Sequence, residues 1–166
     1  MSDFQHLRHK PPARLDRPRE IVIACAPMKS NVNLSRIVRV AGCCAINRLI
    51  LCGNPRIDKK IARDGADSVA IEVRRTLPAA LKALKRDGYR LVGLEQTTAS
   101  ANLHEYTFKR GTVLVIGNER TGLTEDLLSL VDEIVEIPVW GLPYSYNVAT
   151  AAAMAIYEYC RQFPRG

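Results

Sequence analysis

Two loops in the last third of the chain combine glycines with polar side chains of the kind that bind ligands. The first has the sequence GNERTGL at residues 117–123, and the second spans residues 137–147. Each follows a short apolar or β-branched run, at residues 113–116 and 134–137, which is typical of strands buried in a parallel sheet. Ligands of α/β proteins bind where the carboxyl ends of such strands meet, so we expect both loops to form one binding site.

Strand and helix patterns alternate through the rest of the chain. Apolar runs predict strands at residues 21–26, 48–52, 68–73, 90–94, 113–116 and 134–137. Helical spacing of apolar residues predicts helices at residues 58–63, 77–85 and 123–130, a long helix capped by Asn31 or Asn33, and another long helix after residue 147. This alternation is typical of an α/β fold in which helices cover both faces of a mostly parallel sheet.

The composition indicates one cytosolic domain with an anionic partner. A length of 166 residues with 47% hydrophobic residues suits a single core. No apolar run approaches the roughly 20 residues of a membrane span, and the N-terminus has no secretory signal. The net charge of +7 favours binding of phosphates, because Lys and Arg that neutralise them release condensed counterions.

The cysteines and histidines do not predict a metal site or a disulfide framework. The five cysteines are odd in number, form no CxxC pair, and four of them lie in apolar strand or helix patterns. We therefore expect buried free thiols. The three histidines are too scattered along the chain to form a ligand cluster.

Three motifs resemble those of the SpoU (TrmH) family of RNA ribose 2′-O-methyltransferases, within the SPOUT class. The GNERTGL loop matches the family's G-N-E-x-x-G-L, and Ile137-Pro138 followed by Ser145-Tyr146-Asn147 matches its I-P-x-x-x-x-x-S-L-N. Asn33, six residues before Arg39, matches the motif at the start of the family's first long helix. Two positions depart from the pattern: Tyr146 replaces a leucine, and Arg120 stands where many members have glycine.

The resemblance implies a C-terminal trefoil knot whose loops bind S-adenosyl-L-methionine. Glycines at residues 117, 122 and 141 permit close backbone approach to such a ligand, and the family binds its cofactor mostly through main-chain groups. On this basis the cofactor-binding residues are predicted to be Leu94, Glu95, Gln96, Thr97, Ile116, Gly117, Asn118, Glu119, Gly122, Ile137, Pro138, Leu142, Ser145 and Asn147.

The resemblance also implies a catalytic set of Arg39, Asn33, Glu119, Ser145 and Asn147. The family places the arginine at the ribose, where it accepts the hydroxyl proton or stabilises the developing alkoxide; we favour the second role because a guanidinium is a poor base. A carboxylate such as Glu119 would orient the arginine through bidentate hydrogen bonds, or would interact with a helix dipole. Ser145 and Asn147 are also preferred helix caps.

The expected partners are RNA and a second copy of the chain. In this class the first and last long helices form a homodimer interface, although the same apolar stripe would also suit core packing within one chain. Members without an added RNA-binding domain act on transfer RNA, so tRNA is favoured over rRNA. Residues 1–19 contain three prolines and five basic residues, which predicts a flexible arm ahead of a methyltransferase domain at residues 20–166. This arm either contacts RNA or is a solvated terminus.

Two other functions fit the sequence less well. A catalytically silent RNA-binding protein of the same fold would not need all five residues of the catalytic set. An unrelated nucleotide-binding enzyme would need a phosphate loop, and neither GxxxxGK[ST] nor GxGxxG occurs in the sequence.

Overall fold

A computed structural model describes residues 3–166, and within them the chain forms one seven-stranded sheet. The strands are β1 (Ile21–Cys25), β2 (Arg48–Cys52), β3 (Ala70–Arg74), β4 (Arg90–Leu94), β5 (Ala101–Asn102), β6 (Thr112–Ile116) and β7 (Glu133–Glu136). Every pair of neighbours is parallel, in the order β3-β2-β1-β6-β4-β7-β5. The predicted parallel sheet is confirmed.

The helices of this described region lie on both faces of the sheet, as predicted. They are α1 (Asn31–Cys43), α2 (Lys59–Ala62), α3 (Gly65–Ser68), α4 (Pro78–Arg86), α5 (Glu125–Leu128) and α6 (Val148–Gln162). Successive side chains of a strand point to opposite faces. Ile23 of β1 therefore packs in one core with Ile37 of α1 and Ile156 of α6, while Val22 packs in a second core with Leu81 of α4. No helix in residues 3–166 has the length and hydrophobicity that a membrane crossing requires.

Most predicted elements are present, with small differences at their ends. β2 and β4 have the predicted bounds. The one-turn helix α3 and the two-residue strand β5 are absent from the prediction, because elements this short leave no periodic pattern. The predicted cap of α1 was wrong: Ser30 is the N-cap, and its hydroxyl accepts a hydrogen bond from the Asn33 amide at 3.2 Å.

The expectation of buried thiols holds for three of the five cysteines. Cys25, Cys52 and Cys160 are buried, whereas Cys43 is exposed and Cys44 is half-buried at the end of α1. Burial raises the pKa of the Cys25 thiol to about 12, so this thiol stays protonated and unreactive at neutral pH.

The chain before β1 contacts the far ends of α1 and α6. Residues 3–19 form no helix or strand, and Met1 and Ser2 of the predicted arm lie outside the described residues. The Asp16 amide donates to the Arg165 carbonyl at 2.9 Å. The Arg19 guanidinium donates to the Cys44 carbonyl at 2.7 Å and to the Phe163 carbonyl at 2.5 Å.

Candidate active site

A cleft opens at the carboxyl ends of the neighbouring strands β6, β4 and β7, beside the first turn of α6. It encloses about 220 Å³. Its lining comes from the three loops that follow these strands and from α6: Leu94, Glu95, Gln96, Ile116, Gly117, Asn118, Glu119, Arg120, Gly122, Glu136, Ile137, Ser145, Tyr146, Val148 and Ala151. Both loops noted in the sequence therefore meet at one edge of the sheet, as expected for an α/β binding site.

The loop after β6 is a tight turn with close backbone packing. Asn118 and Gly122 exchange two backbone hydrogen bonds, of 3.0 and 2.9 Å. Gly122 has a positive φ of 64°, and a Cβ at Gly117 would lie 2.4 Å from the Gly122 carbonyl carbon. Any side chain at residue 117 would open this turn, so glycine is required there.

Glu95 joins the loop after β4 to the loop after β6. Its carboxylate accepts hydrogen bonds from the Leu123 amide at 2.8 Å and from the Gln96 amide at 3.0 Å. A Cβ at Gly122 would lie 2.1 Å from this carboxylate. Gly117 and Gly122 thus pack closely against other parts of the fold, whereas Gly141 has no protein atom within 4 Å of such a Cβ.

Glu119 joins the same turn to the start of α1. One of its carboxylate oxygens accepts from the Lys29 amide at 2.9 Å and from the Ser30 amide at 2.6 Å. The other oxygen is buried and has no hydrogen-bond partner in residues 3–166. Within one chain, Glu119 therefore does not form the predicted bidentate pair with Arg39; it holds the backbone from which α1 begins.

Asn147 joins the start of α6 to α1. Its side-chain oxygen accepts from the Ala149 and Thr150 amides, at 2.9 and 3.3 Å, so its predicted capping role is confirmed. Its amide group donates to the side-chain oxygen of the buried Asn33 at 3.1 Å. Ser145 does not cap the helix; its side chain is exposed and lines the cleft.

Arg39 lies on α1, outside the cleft of its own chain. It is exposed and makes no ion pair or side-chain hydrogen bond with any described residue. Six residues of helix separate it from Asn33, which corresponds to about 9 Å along the helix axis. Because Glu119 and Asn147 hold the start of α1, they also determine where Arg39 lies relative to the sheet.

Comparison with known proteins decides the family. The family model of the SpoU rRNA methylases matches residues 20–157. The chain belongs to the SpoU methylase family. The resemblance inferred from the three motifs is confirmed.

Two of three similar SpoU proteins carry names that concern tRNA. The tRNA (guanosine(18)-2′-O)-methyltransferase of Escherichia coli K12 is 29% identical over 133 residues, which is 78% of this chain and 58% of that protein, so the chain spans less than two thirds of this relative. The crystal structure of the Aquifex aeolicus TrmH/SpoU tRNA modifying enzyme has a TM-score of 0.84 and 26% identity, and the match covers 90% of this chain and 78% of that one. The SpoU methyltransferase AviRb from Streptomyces viridochromogenes, solved in complex with AdoMet, has a TM-score of 0.76 and 26% identity, with 93% and 64% covered.

The structure brings most of the residues implied by the SpoU resemblance to the cleft. Ten of them line it: Leu94, Glu95, Gln96, Ile116, Gly117, Asn118, Glu119, Gly122, Ile137 and Ser145. Six do not: Asn33, Arg39, Thr97, Pro138, Leu142 and Asn147. The Thr97 hydroxyl instead contacts the Ser100 hydroxyl at 3.0 Å, and the Leu142 side chain is 75% exposed on an open part of its loop.

Five lining residues lie outside the predicted set: Arg120, Glu136, Tyr146, Val148 and Ala151. Glu136 is the last residue of β7, and Val148 and Ala151 are three residues apart on α6. The spacing of Val148 and Ala151 places them on one face of the helix, and that face was predicted to pack rather than to bind. Arg120 and Tyr146, the two departures from the family pattern, also line the cleft.

Proposed function

We propose that this protein is an S-adenosyl-L-methionine-dependent RNA methyltransferase that acts on a ribose 2′-hydroxyl, with tRNA as its substrate. The observation that supports this most strongly is the linkage of the cleft to α1. Glu119 and Asn147 each belong to a cleft loop, and each holds the start of the helix on which Arg39 lies. The names of the E. coli and A. aeolicus relatives agree with this proposal.

The lining of the cleft suits S-adenosyl-L-methionine. Ile116, Ile137 and Val148 offer apolar surface to an adenine ring. The backbone packing of the turn at residues 117–122 excludes side chains, so main-chain amides and carbonyls can reach a ligand directly. The carboxylates that line the cleft favour the positive charges of this cofactor.

Arg39 is proposed to act at the ribose. The bound cofactor would supply an activated methyl group on its sulfonium. The hydroxyl must lose its proton to solvent water as its oxygen is methylated, and a guanidinium beside it would stabilise the negative charge that develops. An exposed guanidinium without a partner among residues 3–166 has its donors available for this purpose.

A homodimer would bring Arg39 to a cleft, since Arg39 does not line the cleft of its own chain. Exposed apolar side chains on α1 and α6, Val32, Met154 and Tyr157, would be covered in such a dimer. The buried oxygen of Glu119 that lacks a partner would be available to a donor from the second chain. The trefoil knot belongs to the same proposal, as does a cytoplasmic location.

The N-terminal arm of residues 1–19 is proposed to contact RNA ahead of the methyltransferase domain of residues 20–166. Arg17 and Arg19 lie near the domain, whereas Arg8, Lys10 and Arg14 are exposed and make no ion pair within the described chain. Removal of residues 1–14 would test this role, because it leaves the Asp16 and Arg19 contacts in place.

Calorimetry and light scattering test the proposal together. We expect one binding site for S-adenosyl-L-methionine per chain and a particle of about twice the chain mass at micromolar concentration. A folded protein that does not bind the cofactor would refute the enzymatic function and favour a silent RNA-binding protein. A stable monomer that methylates RNA would refute the dimeric site alone.

A further inference from the structure

Helices α1 and α2 carry a group of exposed cations that we call the α1–α2 basic face. Arg36 and Arg39 lie on α1, Lys60 lies on α2, and Arg56 and Arg63 lie just before and just after α2. All five side chains are exposed, and none has an ion pair or a side-chain hydrogen bond to another described residue. Elsewhere on the surface, Arg48, Arg90 and Arg161 are each paired with a glutamate. α1 contains no acidic residue. Three aspartates lie in or beside α2 and α3: Asp58 caps α2, Asp67 pairs with Lys59, and Asp64 precedes α3.

Direct contacts hold α2 and α3 against α1. The Ser35 hydroxyl donates to the Asn31 carbonyl at 2.6 Å and accepts from the Asp58 amide at 2.8 Å. A Cβ at Gly42 would lie 2.7 Å from the Gly65 Cα. Backbone therefore packs on backbone here, which fixes the distance between the helices.

This contact occurs next to Arg39. A Cβ at Gly65 would lie 3.1 Å from the Arg39 Cα. Arg63 precedes Gly65 by two residues, so its backbone lies within about 8 Å of that contact. The turn that contains Arg63 is consequently held beside the residue proposed to act at the ribose.

Arg63 has a backbone conformation that favours glycine. Its φ is 54° and its ψ is −143°, and hydrogen bonds from the Arg63 amide to the Lys59 carbonyl and from the Ala66 amide to the Arg63 carbonyl hold it there. A side chain is strained in this region, whereas glycine adopts it freely. Strained residues of this kind cluster at functional sites. An arginine at a position where glycine would be more stable indicates that its side chain has a role.

We infer that the α1–α2 basic face binds the phosphate backbone of the RNA whose ribose is presented to Arg39, with Arg63 as its central contact. This inference rests on the proposed function. Cations without intramolecular partners bind phosphates with the release of counterions and give little sequence preference. Arg63 is a binding residue in this scheme and takes no part in methyl transfer.

The substitution Arg63→Gly separates RNA binding from folding, because it removes the charge and also relieves the strain. We expect its thermal stability to equal or exceed that of the wild type. Its dissociation constant for purified bulk tRNA should rise about three- to tenfold, and the slope of log K against log salt should fall by roughly 0.7–0.9. Affinity for S-adenosyl-L-methionine and kcat at saturating RNA should not change.

Ala45→Gly is the matched control, because Ala45 also has a positive φ, of 52°, at an exposed position without charge. It should gain stability in the same way and bind tRNA as the wild type does. A second variant, Arg56→Ala with Lys60→Ala, tests the same face without any change in backbone strain, and should lower the salt slope by about twice as much.

Unchanged tRNA affinity and an unchanged salt slope in both variants would overturn the inference. Since tRNA binding is measured without the cofactor, a wild-type protein that binds tRNA but not S-adenosyl-L-methionine would refute the proposed enzyme and leave this test of the basic face intact.

Discussion

The amino and carboxyl edges of the sheet each have a half-buried glutamate, and the two carboxylates differ in their hydrogen-bond partners. At the amino edge, Glu133 of β7 accepts from the Arg90 guanidinium at 2.9 and 3.1 Å and from the Tyr106 hydroxyl at 2.5 Å. At the carboxyl edge, Glu119 accepts from two backbone amides through one oxygen, and its other oxygen is buried without a partner in residues 3–166.

This difference in hydrogen bonding suggests different roles for the two glutamates, one in the stability of the fold and one in its function. The hydrogen bonds from Arg90 and then Tyr106 lower the pKa of Glu133 to about 2, so its charged form is stabilised by groups within the fold. A carboxylate with a buried, unpaired oxygen costs free energy of folding unless something binds there. We therefore expect changes at the amino edge to affect only the free energy of unfolding, and changes at the carboxyl edge to affect catalysis as well.

The largest effect is expected for Arg39→Ala, which removes the charge proposed to stabilise the alkoxide. The methylation rate should fall about 10²–10³-fold, as when one charge-stabilising donor is lost from an active site. Affinity for S-adenosyl-L-methionine should stay within a few-fold, because Arg39 does not line the cleft of its own chain. Single-turnover kinetics and calorimetry measure the two quantities.

Arg86→Ala is the control for this experiment, since Arg86 is also exposed and unpaired in the described chain but lies on α4, on the other face of the sheet. A normal rate in Arg39→Ala, or an equal loss in Arg86→Ala, would contradict the proposed role of Arg39.

A smaller effect is expected when the start of α1 is released from the cleft. Glu119→Ala removes two hydrogen bonds to backbone amides and should lower kcat about tenfold or more, with a loss of about 1–3 kcal/mol in the free energy of unfolding. Glu119→Gln keeps an oxygen that can accept both bonds, so it should recover most of the stability. If Glu119→Ala lost stability but kept the wild-type kcat, the carboxyl edge would be structural only.

The smallest effect is expected at the amino edge, and it depends on pH. Because the pKa of Glu133 is lowered in the fold from the ordinary value of 4.5 to about 2, its contribution to stability is present above pH 4.5 and is lost as the pH falls toward 2. Glu133→Gln should therefore melt at a lower temperature than the wild type at pH 6. This difference in melting temperature should be smaller at pH 3. Its kcat at pH 7 should be normal. If the difference in melting temperature were the same at both pH values, the ion pair between Arg90 and Glu133 would make no net contribution to stability.

The sequence motifs located the cleft because its loops follow strands that are short, apolar and easily recognised. The loop at residues 117–123 and the strand β4 were placed correctly on this basis. Glu136 was missed because it is the last residue of β7 and belongs to no contiguous motif. Val148 and Ala151 were missed because an apolar helix face has the same pattern whether it packs in a core or lines a cleft.

The contacts that join the cleft loops to the start of α1 could not be predicted from the sequence. Glu119 and Ser30 are 89 residues apart in the chain, and Asn147 and Asn33 are 114 residues apart. Such pairs depend on the order of the strands, which periodicity does not reveal. The three family motifs place Asn33, Glu119 and Asn147 near one site. Only the structure shows that Glu119 holds the backbone before α1 instead of the Arg39 side chain.

The identity of the methylated atom tests the central claim most directly. Purified tRNA is incubated with the protein and with S-adenosyl-L-methionine labelled in its methyl group, and is then digested to nucleosides that are separated by mass. We expect the label in a single 2′-O-methylated ribonucleoside, at a level that falls with Arg39→Ala and stays the same with Arg86→Ala. Label on a base, or no label from a folded protein that binds both tRNA and the cofactor, would contradict the account.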